Sequence, residues 1–181
     1  MLILVRHAMP SYGPETPAHE WELGTDGHAA ARRLAAALPS SAHLVASNEP
    51  KAFQTLASAG PVLRDPRFNE VSRTEPWEGE YRRLRREYVS GTDHTDWEPR
   101  TAVAARFDAA VREHLATAHG MPLIIATHGM AMTIWLTSRR LLDDPAAFWS
   151  DLRFPDAHII DHDNNPRAVT RHPAATPNTT S

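Results

Sequence analysis

Three short apolar runs, at residues 2–5, 43–46 and 123–126, constrain the fold of this chain more than any other feature. The first and third are wholly aliphatic and end at polar residues, as strands buried on both faces of a parallel sheet do. A helical pattern lies between each run and the next predicted strand. Strands that alternate with helices predict a three-layer α/β sandwich, with helices on both faces of a mostly parallel central sheet.

The predicted helices are marked by apolar residues at three- and four-residue spacing and by start and stop signals. Thr25 or Asp26 is the predicted N-cap of the first helix, and Ser47 and Asn48 are the cap candidates of the second. The predicted helices are 25–38, 50–59, 80–89, 101–118 and 130–142. Short strands are further predicted within 61–68 and at 157–161 and 168–171, the last two joined by an Asn164-Asn165-Pro166 turn.

A length of 181 residues favours one domain with a sizeable buried core. We expect a single domain over residues 1–172, with a polar, Arg-rich insertion at about 72–100. Residues 173–181 are rich in Pro, Thr, Asn and Ala and are predicted to form a disordered tail.

Composition excludes several classes of function. The chain has no cysteine, so thiol nucleophiles, disulfides and thiolate zinc sites are ruled out. Its 19 Lys and Arg against 22 Asp and Glu give a net charge of -3, so we expect neither nucleic acid nor a membrane surface as a partner. The N-terminal apolar run is too short for a secretion signal, and no stretch has the roughly 20 apolar residues of a membrane span. We therefore expect a cytoplasmic protein.

Charged and imidazole side chains follow the predicted strands. Arg6 and His7 come directly after the first strand, and His128 follows the strand at 123–127. Lys51, the only lysine in the chain, lies near the start of the helix after the second strand. Because the carboxyl ends of parallel strands meet at one edge of a sheet, these four side chains are predicted to converge on a ligand site there. Each of them alone also fits an ordinary role, as a solvated strand end, a capping histidine or a solvated lysine.

Several ordered motifs resemble those of the histidine phosphatase superfamily, which is phosphoglycerate mutase-like in fold. They are Leu4-Val5-Arg6-His7-Ala8 for the usual R-H-G; Leu23-Gly24-Thr25-Asp26-Gly27 for L-T-x-x-G; Ser47-Asn48-Glu49-Pro50-Lys51-Ala52-Phe53-Gln54-Thr55 for S-x-x-x-R-A-x-Q-T; Asn69-Glu70-Val71 with Trp77-Glu78-Gly79 for E-x-x-x-G-x-W-E-G; and Thr127-His128-Gly129-Met130. The resemblance covers roughly residues 1 to 160 in matching order and is to short, phosphatase-type members.

The resemblance implies a metal-independent phosphomonoesterase that needs no cofactor and hydrolyses a small phosphorylated metabolite. His7 would be the nucleophile that carries a phosphohistidine, and Arg6, Lys51 and His128 would complete the phosphate pocket. Glu70 would protonate the leaving alkoxide and then accept a proton from the hydrolytic water. For the first step Glu70 must be protonated, so its pKa is predicted to be raised by burial.

This sequence departs from the family pattern at three places. Ala8 replaces a glycine, which is a small change. Lys51 replaces an arginine, so a bidentate fork becomes a point charge. Between Glu70 and Trp77 the family glycine is missing and one residue is inserted, so Glu78 is the alternative proton donor.

Two other features bear on specificity. Arg73 and the arginines of segment 82–86 could select a second anionic group, or they could form a solvated helix face balanced by acids. Any of the five tryptophans could stack on a sugar or a base, although tryptophans mostly pack in cores. They are Trp21, Trp77, Trp97, Trp135 and Trp149.

The sequence also holds a group of metal-ligating residue types, His158, Asp161, His162 and Asp163. Alternating strand faces would separate His158 from Asp161, so no metal site is predicted there.

Two other functions stay open at this stage. A phosphoglycerate mutase shares the nucleophile but returns the phosphoryl group to a sugar acid, in a closed pocket usually built from longer insertions than this chain has. A non-catalytic module that binds a phosphorylated ligand on the same fold is also compatible with Lys51 and the altered Glu70 motif.

Overall fold

A six-stranded sheet forms the centre of the computed structural model, which describes residues 1–160 and 169–173. The strands are β1 (Leu2–Arg6), β2 (His43–Ala46), β3 (Leu63–Arg64), β4 (Leu123–Thr127), β5 (Asp156–Ile160) and β6 (Val169–Arg171). Their order across the sheet is β3-β2-β4-β1-β5-β6. The pairs β3–β2, β2–β4 and β4–β1 are parallel, whereas β5 is antiparallel to both β1 and β6. The predicted mostly parallel α/β sheet is therefore confirmed.

In the described residues, six α-helices connect these strands. They are α1 (Thr25–Ala37), α2 (Pro50–Leu56), α3 (Tyr81–Ser90), α4 (Arg100–Thr117), α5 (Gly129–Ser138) and α6 (Pro145–Asp151). α5 ends four residues earlier than predicted, and Arg140 just beyond it has a positive φ of 57°, which a continuing helix cannot contain. The helix α6 was not predicted, although the sequence contains its start signals. Asp144 caps it by accepting from the amide of Ala147, and Pro145 stands in its first turn.

The predicted helix caps were wrong. Gly24, rather than Thr25 or Asp26, stands at the N-cap of α1. Glu49, rather than Ser47 or Asn48, stands at the N-cap of α2, and its side chain makes no capping bond. Ser47 and Glu49, which precede α2, make other contacts, described below.

The strands alternate their side chains between two cores, one on each face of the sheet. Leu2 and Leu4 of β1 pack in the core beneath α4 and α5, which includes Phe107 and Trp135. Ile3 and Val5 face the core beneath α1 and α2, together with residues such as Leu34, Leu38, Ala52 and Leu56. The helices thus form a layer on each face, as the strand and helix order predicts.

The register brings the ends of three strands to the same level. Arg6 pairs with Thr127, and Ala46 pairs with Ala126. The residues that follow continue this pattern: the amide of His7 donates to the Thr127 carbonyl at 3.0 Å, and the amide of Ser47 donates to the Ala126 carbonyl at 2.9 Å. The residues that directly follow β1, β2 and β4 therefore all lie at the same edge of the sheet.

Some predictions lie outside the described residues, namely the Asn164-Asn165-Pro166 turn, Asp161 to Asp163 and the tail from residue 174. In the described part of the chain, none of the helices combines the length and the apolar character that a membrane crossing requires.

Gly27 fixes the position of α1 against the loop that follows β1. A Cβ built at Gly27 would lie 2.1 Å from the carbonyl oxygen of Met9, a backbone atom that cannot move without shifting the loop. The helix therefore approaches the loop at a distance that only glycine permits.

We predict that Gly27→Ala destabilises the protein by about 1–3 kcal/mol, as overpacking does, although alanine is about 1 kcal/mol better than glycine inside an unhindered helix. Urea unfolding followed by circular dichroism measures the change. Gly13→Ala is the control, because nothing lies within 4 Å of a Cβ built there. A Gly27→Ala protein as stable as the parent would contradict this account of the contact.

Candidate active site

The two histidines that follow β1 and β4 lie side by side. The ring centroids of His7 and His128 are 5.1 Å apart, and both side chains are buried. Sequence spacing predicts this meeting because both residues begin at the same edge of the sheet. The arrangement puts two imidazoles within reach of one small ligand.

His7 has a defined tautomer. Its Nδ1 lies 2.8 Å from the carbonyl oxygen of Ala8, and since a carbonyl only accepts, Nδ1 carries the proton. In the neutral ring Nε2 then holds the lone pair. His7 is therefore oriented as a nucleophile that presents Nε2.

Burial and neighbouring charge keep both imidazoles neutral. Burial is the main cause that lowers the pKa of His7 well below 6.5, followed by the charges of His128, Lys51 and Arg6. Burial likewise lowers the pKa of His128 well below 6.5, and Lys51 adds to this effect while Glu70 opposes it. A neutral imidazole is the form that can attack phosphorus.

Ser47 fixes the ring of His128. The Ser47 hydroxyl donates to Oδ1 of Asn69 at 2.8 Å, so its oxygen acts as acceptor towards Nε2 of His128, 2.9 Å away. The neutral His128 ring thus carries its proton on Nε2. Its Nδ1 is buried and has no hydrogen-bond partner among the described residues. That atom is the one left for a ligand.

The Arg6 guanidinium is held at two points. One terminal nitrogen donates to the carbonyl of Leu152 at 2.8 Å, and the guanidinium carbon lies 3.5 Å from the ring centre of Phe154. Its Nε is buried with no hydrogen-bond partner among the described residues. Burial, partly offset by Glu70 and Asp156, lowers the pKa of Arg6 to about 10, so the group stays charged at neutral pH.

Glu70 points at the first turn of α5, immediately after His128. Its Oε1 accepts from the amides of Ala131 at 2.9 Å and Val71 at 3.1 Å, and its Oε2 lies 3.3 Å from the amide of Met130. The fold thus brings Glu70 next to His128.

Glu78, the alternative donor, is exposed in the segment before α3 and makes no hydrogen bond or ion pair with the described residues. The fold therefore places Glu70, and not Glu78, among the residues around His128. The predicted role of Glu70 as proton donor stays a prediction.

Lys51 is buried but does not have a free ammonium. Its Nζ donates to the carbonyl of Ala18 at 2.6 Å and forms a close ion pair with Oε2 of Glu49. The two side chains are only 6% and 7% exposed. The predicted phosphate-binding cation is therefore already paired with an anion of the same loop.

Glu49 is a central residue of the site that sequence reasoning missed. Its Oε1 accepts from the amide of Glu70 at 2.7 Å and lies 3.4 Å from Nε2 of His128, while its Oε2 holds Lys51. A buried carboxylate needs such partners to offset its lost hydration. In the sequence an acidic residue just before a helix is an ordinary helix-start signal, so nothing distinguished Glu49 from a solvated side chain.

Phe154 was also missed. Its ring lies 5.3 Å from that of His7, centre to centre, and covers the Arg6 guanidinium. It comes from the segment between α6 and β5, which has no sequence motif. Phe154 thus supplies an apolar wall beside the candidate nucleophile.

Three arginines of the predicted rim are paired with acids. Arg73 and Arg85 both pair with Glu75. Arg83 pairs with Glu80 and Glu87 on an exposed face of α3, so these arginines are balanced by acids.

His158 Nε2 lies 3.5 Å from Asp156 Oδ2, an acid that the predicted metal-ligating group does not include. Asp156 in turn accepts from the Arg171 guanidinium. His158 therefore lies beside the buried ion pair of Asp156 and Arg171 at the sheet.

Comparison with known proteins gives one family and a common fold. Residues 2–171 match the sequence profile of the histidine phosphatase superfamily (branch 1). The fold is similar to that of a mycobacterial glucosyl-3-phosphoglycerate phosphatase in its native form, with 22% identity, a TM-score of 0.66 and 87% of each chain covered. A Thermus thermophilus protein is 25% identical, with a TM-score of 0.66 and coverage of 94% of this chain and 97% of that chain. YhfR of Bacillus stearothermophilus is 18% identical, with a TM-score of 0.68 and coverage of 94% and 93%. No curated protein sequence matches the chain.

The lowered pKa values of His7 and His128 predict how stability depends on pH. In the folded protein both rings stay neutral, whereas in the unfolded chain they take up protons below about pH 6.5. The unfolded state therefore binds more protons, and the free energy of unfolding falls as the pH drops from 6.5 to 5. Each histidine contributes at most about 1.4 kcal/mol per pH unit in this window.

Urea unfolding at several pH values tests this expectation. His128→Gln should reduce the slope between pH 5 and 6.5, whereas His28→Gln, at an exposed position of α1, should leave it unchanged. Equal slopes in the parent and His128→Gln proteins would show that His128 is not held neutral by the fold.

Proposed function

This chain belongs to the histidine phosphatase superfamily, and from that membership we propose that it is a metal-independent phosphomonoesterase that works through a phosphohistidine on His7. The predicted enzyme class, a phosphatase, agrees with the family match and with the phosphatase of similar fold. The substrate is proposed to be a small phosphorylated metabolite.

One observation carries the proposal: His7 presents a neutral Nε2 while Ala8 holds the proton on Nδ1. In the first step Nε2 forms a bond to phosphorus as the ester P–O bond breaks, and protonated Glu70 gives its proton to the leaving alkoxide. In the second step water attacks phosphorus and the carboxylate of Glu70 takes its proton. The P–N bond breaks, so phosphate leaves and neutral His7 is restored.

Side chains of the protein supply the positive charge that the transferred phosphoryl group needs. The unpartnered Nε of Arg6 is a donor directed to no protein acceptor in the described structure. His128 Nδ1 is free to bind a phosphoryl oxygen once it is protonated, and a phosphate ester in its monoanionic form can bring that proton, since its second pKa is about 6. These donors would stabilise the equatorial oxygens of the transition state.

A second candidate, a module that binds a phosphorylated ligand without hydrolysing it, is favoured by the Glu49–Lys51 pair. The paired carboxylate cancels the charge of the cation that replaces the family arginine. Phosphate would then be held chiefly by Arg6 and His128.

We predict that His7→Ala abolishes phosphate release from any substrate that the parent hydrolyses, because His7 supplies the nitrogen that bonds to phosphorus in the proposed mechanism. The loss is measured as release of inorganic phosphate from a panel of phosphorylated metabolites. Excess chelator should leave the rate of the parent protein unchanged, since the proposed mechanism uses no metal. His28→Ala, an exposed histidine, is the control.

Persistent turnover by the His7→Ala protein would contradict the phosphohistidine mechanism. Tight binding of a phosphorylated compound with no release by the parent would favour the binding module. Conversion of 3-phosphoglycerate that depends on a bisphosphate primer would instead indicate a mutase.

We predict that Glu49→Gln strengthens the binding of inorganic phosphate by at least about tenfold. The substitution removes an anion from the pocket and frees the ammonium of Lys51. At an effective dielectric constant near 20, the interaction between two unit charges at this range is worth a few kcal/mol. Isothermal titration calorimetry with inorganic phosphate measures the affinity. Glu113→Gln, an exposed carboxylate on α4, is the control. Unchanged or weaker phosphate binding by a folded Glu49→Gln protein would mean that Lys51 does not face the anion.

A further inference from the structure

A short segment, residues 67–70, brings two side chains to the candidate active site. Asn69 accepts from the hydroxyl of Ser47 at 2.8 Å, and Glu70 accepts from the amide of Ala131 at 2.9 Å. The segment follows β3 and belongs to none of the six strands. Its carbonyl groups therefore need partners from elsewhere in the fold to keep the segment in one position.

Side chains from α4 and β4 bind every carbonyl of this segment. The guanidinium of Arg106 on α4 donates to three of the four, at 2.7, 2.9 and 3.3 Å. These three carbonyls belong to Arg67, Asn69 and Glu70, respectively. The hydroxyl of Thr127, the last residue of β4, donates to the remaining carbonyl, that of Phe68, at 2.8 Å. Two side chains therefore fix the path of the segment.

Glu98 holds the Arg106 guanidinium from the opposite side. Nε of Arg106 donates to Oε1 of Glu98 at 2.7 Å, and a terminal nitrogen donates to Oε2 at 2.9 Å. With the three carbonyls, this bidentate ion pair uses all five N–H bonds of a guanidinium. The amide of Glu98 donates to the carbonyl of Ser72 at 2.8 Å, which ties the pair to the chain just beyond Glu70. We call Arg106 and Glu98 the carbonyl clamp.

The clamp lies behind the contact between Glu70 and α5. Met130 and Ala131 stand in the first turn of α5, where backbone N–H groups have no partner inside the helix. The carboxyl of Glu70 occupies these N–H groups from a neighbouring loop. That contact requires the backbone of Glu70 to stay where Arg106 holds its carbonyl.

We propose that Arg106 is a positioning residue, which holds the backbone of Glu70 so that its carboxyl can pass a proton to the leaving oxygen. This inference rests on the proposed function. All five donors of Arg106 are occupied, so it acts through Glu70 and not on the phosphoryl group. A general acid must lie within hydrogen-bond reach of the atom that it protonates, and a displacement of about 1 Å can cost about 100-fold in rate.

Two esters of equal charge with different leaving groups test the proposal. The para-nitrophenyl ester of phosphate releases a stabilised phenolate that needs no proton, whereas the para-nitrobenzyl ester releases an alkoxide that does. We expect Arg106→Met to lower kcat/KM for the benzyl ester about 10-fold to 100-fold and for the phenyl ester by less than about threefold. The ratio kcat/KM is used because it excludes hydrolysis of the phosphohistidine, a step that both esters share.

Reference variants accompany this measurement. Glu70→Gln removes the proton donor itself and should show the same difference between the two esters. Arg112→Met is the matched control on α4, because the Arg112 side chain is 74% exposed and pairs only with Asp108 among the described residues. Arg106→Lys keeps the charge but has three donors and no planar fork, so it should fall between the parent and Arg106→Met.

Hydrogen exchange measures the placement of Glu70 without any turnover. The amide of Ala131 is protected by Glu70, so we expect Arg106→Met to speed its exchange at least about tenfold in the protein without substrate. Amides of β4 report global unfolding and should change less than that of Ala131. Arg112→Met should leave the Ala131 amide as it is in the parent.

The two measurements fail in different ways. Equal losses of kcat/KM for the two esters in a folded Arg106→Met or Arg106→Lys protein would overturn the inference, and so would unchanged exchange at Ala131. If Ala131 exchanges faster but the parent hydrolyses neither ester, Arg106 places Glu70 as described and the phosphatase function fails.

Discussion

The parallel register of β1, β4 and β2 is the constraint on which the site depends. It ends three strands at one level, so that backbone hydrogen bonds place His7, Ser47 and His128 next to one another. These strands are buried on both faces, and a slip of one residue would turn every apolar side chain to the wrong core. The hydrophobic pattern therefore fixes the geometry of the polar edge, although it contains none of the polar residues.

Charge in the pocket is nearly balanced before any ligand arrives. Arg6 and Lys51 are cations, and Glu49 is a carboxylate that pairs with Lys51, while the carboxyl group of Glu70 is held by backbone amides. Such contacts make the burial of these groups tolerable, because each has a partner or a helix end. The balance also means that recognition of an anion here depends on unpartnered donor positions rather than on a large excess of positive charge.

Much of the fold follows from local patterns. The aliphatic runs predict β1 and β4, and the periodicity of Val103, Phe107 and Val111 predicts α4. The motifs predict which strand-end residues meet. The helix α6 was missed although its local signals are present. Other failures depend on contacts between distant segments: Ser47 is drawn from a capping role by Asn69 and His128. Glu49 and Phe154 acquire their positions only when the loops pack, so no local pattern identifies them.

The burial of Lys51 has a practical consequence for anyone handling this protein. It is the sole lysine of the chain; its side chain is 6% exposed, and its amine is engaged by Glu49 and a backbone carbonyl. Acylating dyes, biotin esters and amine-directed crosslinkers therefore find no accessible lysine on the folded surface. Labelling of Lys51 would report that the loop around Glu49 has opened, which makes one side chain a natural sensor of local unfolding.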